Sequence, residues 1–174
     1  VDIATTAIDC IHTTAASHGR VFIVEIMGHK VGWITLHAGI AGGADIILIP
    51  EIPYDIKSVC AALDKRAQQG KKFSILAVAE GAISKEVAAL PKKERKALLA
   101  NPKYPSVAYE IADQIKACGG QEVRVTVPGH TQRGGSPCPY DRVLSSRFGA
   151  KAAELIKEGK YGELVVLKDN EVTS

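Results

Sequence analysis

Apolar positions along the chain switch repeatedly between helical and strand spacing. Ile3, Ala7, Ile8, Ile11 and Ala15 recur on one face and predict an amphipathic helix over residues 2–17. Residues 20–26, R-V-F-I-V-E-I, are short, apolar and β-branched and predict a buried strand that ends at Met27-Gly28. A second helix is expected from about 32 to 40, stopped by Gly42-Gly43. Residues 45–50 read as the next strand, and Asp55 as the N-cap of a helix that closes at Gly70. Residues 73–79 form a third apolar run, ended by Glu80-Gly81. The charged stretch 84–104 carries no strand pattern and predicts a short surface helix in an excursion, its Lys/Arg-rich face solvated. Ser106 is expected to cap a helix reaching Cys118, residues 122–127 alternate as a strand, and a long helix over 141–158 precedes a final strand at 163–167.

Strict alternation of helix and strand predicts an α/β fold, a three-layer α/β/α sandwich around a mostly parallel, Rossmann-like sheet. The 174 residues suit one domain, and neither an internal repeat nor a low-complexity linker divides them. Apolar residues are 46% of the chain but aromatics only 5%, so the core is expected to be aliphatic, as where helices cover a parallel sheet.

The net charge of +3 is too small to argue for a nucleic-acid partner. No run of 18 apolar residues or signal-like leader is visible, so a cytoplasmic protein without a membrane span is expected. Cys10, Cys60, Cys118 and Cys138 are widely spaced and read as four reduced thiols. The first residue is Val and a helix starts at once, which reads as a piece of a longer chain.

Ligands of open parallel sheets bind beyond the carboxyl ends of the strands. Three such ends carry polar or Gly-rich clusters: Met27-Gly28-His29-Lys30, Glu80-Gly81, and the run from Pro128 through Gly135. In the last, Arg133 offers a planar fork for phosphate oxygens, His130 a further donor, and Gly134-Gly135 close backbone approach; the same residues also suit a solvated turn. Arg124, between Val123 and Val125, and Arg20, opening the first strand, read either as half-exposed edge residues or as phosphate ligands. Glu80 suits either a sugar-hydroxyl acceptor or a helix N-terminal charge, and Glu25, inside a strand, should have a cation as partner. His12, His18 and His37 read as packing residues. No G-x-x-x-x-G-K-[ST] or G-x-G-x-x-G is present, and no aspartate pair is placed to hold magnesium.

The segments R-V-F-I-V-E-I-M-G over 20–28, G-W-I over 32–34, G-G-A-D-I-I-L-I-P-E over 42–51, P-G-H-T-Q-R-G-G-S-P over 128–137 and Y-D-R-V-L over 140–144 with R-F-G over 147–149 resemble the C-terminal half of 6-phosphofructokinases. The resemblance implies phosphoryl transfer to the 1-hydroxyl of fructose 6-phosphate. It also implies that residues 1–174 are mainly the fructose 6-phosphate-binding part, without the N-terminal nucleotide-binding half. On this resemblance Arg20, Arg124, His130 and Arg133 clamp the 6-phosphate, Met27 and Gly28 offer backbone contacts, Glu80 accepts a sugar hydroxyl, and Thr131 and Gln132 belong to the same substrate-binding block. Arg20 and Arg124 would come from a neighbouring subunit of a homo-oligomer, a homotetramer in the family. His29 stands where the family usually has Arg. ATP (or pyrophosphate) and Mg2+ are implied, with their ligands outside this chain; the excursion after Glu80 resembles the long-loop bacterial group, which has members of both donor types.

Overall fold

Four strands, β1 (Val21–Ile26), β2 (Ile46–Leu48), β3 (Ser74–Ala79) and β4 (Val123–Thr126), form a parallel sheet in the order β2-β3-β1-β4. This computed structural model describes residues 1–119 and 121–174, with His18 described by its backbone alone; the reading of His18 as a packing residue lies outside the described side chains. Helices α1 (Asp2–His18), α2 (Trp33–Ala41), α3 (Ile56–Gln68), α4 (Lys85–Ala89), α5 (Lys92–Ala100), α6 (Val107–Gly119) and α7 (Pro139–Lys157) follow the alternation read from the sequence.

Successive strand residues point to opposite faces. Phe22, Val24, Ile26, Ile75 and Ala77 pack with Ala4, Ile8 and Ala15 of α1 and Ala38 of α2. Val21, Ile23, Leu76 and Val78 pack on the other face with Val59 and Leu63 of α3 and Ile111 and Ile115 of α6. Both central strands are therefore buried along their whole length, which is why they show continuous apolar runs instead of alternation. Each fully buried Ile or Leu, such as Ile8, Ile23, Ile75 and Leu76, contributes about 1.5–3 kcal/mol.

Local signals explain the element ends. Asp55 caps α3, its side chain accepting the Lys57 amide at 3.1 Å. The Ser58 hydroxyl, ahead of the other contacts, holds the Asp55 carboxyl below its ordinary range. Strand β2 is shorter than the predicted 45–50 because the chain turns where Ile52 donates to the Ile49 carbonyl. The excursion after β3 holds two short helices, α4 and α5, instead of one, with Ser84 capping the first.

Three expectations are corrected. Glu25 is buried in β1, but its partner is not a cation: its Oε2 accepts the Ala108 amide at 3.0 Å, at the positive end of α6. Ser106 accordingly does not cap α6 with its side chain; its buried Oγ has no hydrogen-bond partner among the described residues. Cys60 and Cys118 are not free thiols. They lie on α3 and α6, neighbours on one face of the sheet, and form a disulfide with Cα atoms 6.4 Å apart. Wide sequence spacing hid that proximity. Cys10 and Cys138 are free.

Residues 1–133 form one compact unit and residues 134–174 a second. The second contains α7, opened by Pro139 at its first turn, and an antiparallel hairpin of β5 (Val166–Lys168) and β6 (Glu171–Thr173). The strand expected at 163–167 therefore belongs to a hairpin and not to the parallel sheet. Asp169 and Asn170, at φ 50° and 65°, make its two-residue turn, the left-handed conformation such a connection requires.

Candidate functional site

Chain direction places Met27, Gly28 and His29 at the carboxyl end of β1, and Glu80 beside them at the end of the neighbouring strand β3. The Glu80 carboxylate reaches across: its Oε1 accepts the Gly28 amide at 3.0 Å and the His29 amide at 2.5 Å. Its Oε2 accepts no hydrogen bond among the described residues. His29 takes a left-handed backbone, φ 56°, which disfavours a non-glycine residue; the bond to Glu80 offsets that cost. A Cβ on Gly28 would come within 2.4 Å of the Val31 carbonyl oxygen, and one on Gly81 within 2.1 Å of the His29 oxygen. Gly28 is crowded by the turn of its own loop and Gly81 by the approach of the β1 loop, so neither glycine can carry a side chain.

After β4 the chain makes a 3₁₀ turn over Gly129–Arg133. Gly129 enters it at φ 56°, and the Thr131 hydroxyl donates to the Pro128 carbonyl at 2.6 Å. Gln132 ties this turn to β1: its Oε1 accepts the Met27 amide at 3.1 Å while its Nε2 donates to the Gly129 carbonyl at 3.2 Å. Thr131 and Gln132 thus hold loop geometry. Met27 and Gly28 are half-buried, with their amides already engaged. His130 and Arg133 are exposed, and neither side chain is hydrogen-bonded or ion-paired among the described residues. Met27, Gln132 and Arg133 line one shallow cleft of about 40 Å³ with Val1, Ala4 and Ile34. A free guanidinium, a free imidazole and a half-free carboxylate oxygen on loops braced against one segment suit an anionic, hydroxyl-bearing ligand.

Arg20 and Arg124 are not brought to this end. Arg20 precedes β1, at the amino edge of the sheet, and Arg124 sits opposite Phe22 near the start of the edge strand β4. The length of β1 separates Arg20 from Met27 by roughly 20 Å at the ordinary rise per residue. One carboxylate holds both arginines: Glu122 Oε2 lies 2.6 Å from Arg20 Nε, and its Oε1 lies 2.5 Å from an Arg124 terminal nitrogen. A cleft of about 200 Å³ opens here, lined by Arg20, Lys71, Lys72 and Glu122 among others. It is larger than the carboxyl-end cleft but lies at the wrong end of the strands for that segment to contribute.

The sequence reading missed two acidic residues. In the sequence Glu122 reads only as the start of a strand, although it stands two residues before Arg124 and so on the same side. Glu51 accepts the Gly32 amide with both oxygens, at 2.8 and 3.1 Å, and fixes the start of α2. Its position just after the β2 turn was the available signal. Among the described residues no three His, Cys, Asp or Glu side chains form a group able to hold a metal ion. The residues present do not fit Mg2+.

The chain is 55% identical over its whole length to 48% of an ATP-dependent 6-phosphofructokinase of Spirochaeta thermophila. It is 47% identical, again over its whole length, to 47% of the enzyme of that name from Chloroflexus aurantiacus. It therefore spans about half the length of these curated relatives. The phosphofructokinase of Saccharomyces cerevisiae superimposes with a TM-score of 0.80 at 32% identity, over 98% of this chain and 21% of that one. The sequence model of the family described as phosphofructokinase matches residues 1–156, across α1, the whole parallel sheet and nearly all of α7, and so the chain belongs to the phosphofructokinase family.

Proposed function

We propose that this chain supplies the sugar-phosphate site of an enzyme that phosphorylates the 1-hydroxyl of fructose 6-phosphate, giving fructose 1,6-bisphosphate, with ATP as donor. The observation that carries this reading is the free pair of His130 and Arg133 on a turn locked to the end of β1 by Gln132. Arg133 and His130 take the 6-phosphate, and the open Oε2 of Glu80 takes a ring hydroxyl. Its Oε1, held by two backbone amides, sets where that acceptor stands. Orientation of this kind is the chain's contribution to catalysis: it fixes the sugar so that its 1-hydroxyl faces the donor. His29 stands beside the site with a backbone already constrained.

Arg20 and Arg124 complete the phosphate clamp from a second copy. Arg20 lies roughly 20 Å from Met27 along β1, and Arg124 is drawn to the same end as Arg20 by Glu122, so neither is aimed at its own chain's carboxyl-end loops. Sharing between copies of a homo-oligomer resolves that separation. ATP is favoured as donor because the relatives above carry that name. The donor and its magnesium are assigned to the part of the relatives' length that this chain does not span. No helix among the described residues is long and apolar enough to cross a membrane, and a cytoplasmic site of action is part of this reading.

The test is an assay of the protein that carries this chain with fructose 6-phosphate and either ATP or pyrophosphate. Fructose 1,6-bisphosphate formed with ATP supports the reading. Turnover with pyrophosphate alone would move it to the other donor. Sugar-phosphate binding without turnover would make the protein a binding paralogue.

A further inference from the structure

Glu122 is placed with unusual firmness for a half-exposed carboxylate. Its backbone carbonyl accepts the Val21 amide at 3.0 Å, which clips it beside Arg20, and its side chain spans both Arg20 and Arg124. The three residues form a triad of net charge +1 instead of a pair of net charge +2. The carboxylate also uses particular donors. On Arg20 it takes Nε, so half of the side-on fork of that guanidinium is occupied, while the terminal nitrogens have no partner among the described residues. On Arg124 it takes one terminal nitrogen.

We infer that Glu122 is an internal counter-ion of the arginine clamp, a positioning residue that a phosphate dianion must displace before Arg20 and Arg124 can both engage it. The inference rests on the reading of those arginines as phosphate ligands. Two consequences follow from charge alone. The carboxylate lowers the affinity for any anion, because it repels the ligand and holds two of its donors. The repulsive part grows with ligand charge, so it is larger for a dianion than for a singly charged anion.

The test uses the assembled enzyme that carries this chain, with fructose 6-phosphate as substrate and sulfate as the probe of nonspecific anion binding. Glu122→Gln is expected to lower KM for fructose 6-phosphate about threefold to tenfold, the effect of one unit charge removed at close range. Inhibition by sulfate should tighten by a similar factor, and both should depend more steeply on ionic strength. Glu122→Asp, which keeps the charge, should restore the low affinity for sulfate. In an Arg20→Ala/Arg124→Ala background the Glu122→Gln change should lower KM by a clearly smaller factor, because only the direct repulsion is left to remove. A rise in KM for Glu122→Gln would overturn the inference and make the carboxylate a plain support for the arginines. If Arg124→Ala by itself leaves KM unchanged, the arginine assignment fails instead, and the two failures are told apart.

Discussion

Arg20 and Met27 flank opposite ends of the same strand, β1, so the chain carries its guanidinium pair and its braced carboxyl-end loops on opposite edges of one sheet. A phosphate ester is far smaller than that separation. On the proposed function each edge is half of a clamp, and the two halves would meet between copies.

Arg133 is exposed and has no partner among the described residues, so it can meet a ligand without cost to the described contacts of the fold. Arg133→Ala should weaken fructose 6-phosphate binding by about 2–4 kcal/mol, the loss of a charge-assisted contact. Thermal unfolding should hardly move. Calorimetry on the protein that carries this chain checks the first, and a melting curve the second.

Glu80 has two separable roles. Glu80→Gln keeps an oxygen for the Gly28 and His29 amides but replaces the free acceptor by a donor. It should raise KM for the sugar with little loss of stability. Glu80→Ala removes the brace as well and should also destabilise by about 1–3 kcal/mol, because two amides and the left-handed His29 lose their partner. Urea unfolding of both variants, set beside their KM values, separates the roles.

The Cys60–Cys118 disulfide closes a loop with a sequence separation of 58. A loop of that length is worth about 4 kcal/mol by the chain-entropy relation. Cys118→Ser, or reduction of the native protein, should lower stability by up to that amount. Denaturant titration with and without a reductant checks it. Identical curves would show that the bond adds nothing to stability.

Much of this was legible in the sequence. The aliphatic runs at 20–26 and 73–79 revealed two strands buried on both faces, and alternation with helices revealed the parallel sheet. The direction of a parallel strand then put Met27, Glu80 and the 3₁₀ turn at one end. What stayed hidden depended on partners distant in the chain. Glu25 satisfies the start of α6, a contact that only the fold creates. Cys60 meets Cys118 because α3 and α6 are neighbours on one face. Gln132 was legible as part of a binding motif but not as the bracket between Met27 and Gly129. The hairpin at β5 and β6 is hidden for a local reason: Asp169-Asn170 is a turn signal, but the regular alternation of helix and strand points instead to one more parallel strand.

The claim that the site is assembled from two copies has a direct test by complementation. Arg133→Ala damages the carboxyl-end half and Arg124→Ala the amino-edge half, so each variant should be severely impaired alone. After the two are mixed under conditions that allow subunit exchange, one site in the mixed pairs joins two intact halves. Random exchange should then return roughly a quarter of the wild-type activity. Activity that stays at the level of the separate variants, in a mixture shown to contain mixed oligomers, would contradict a shared site.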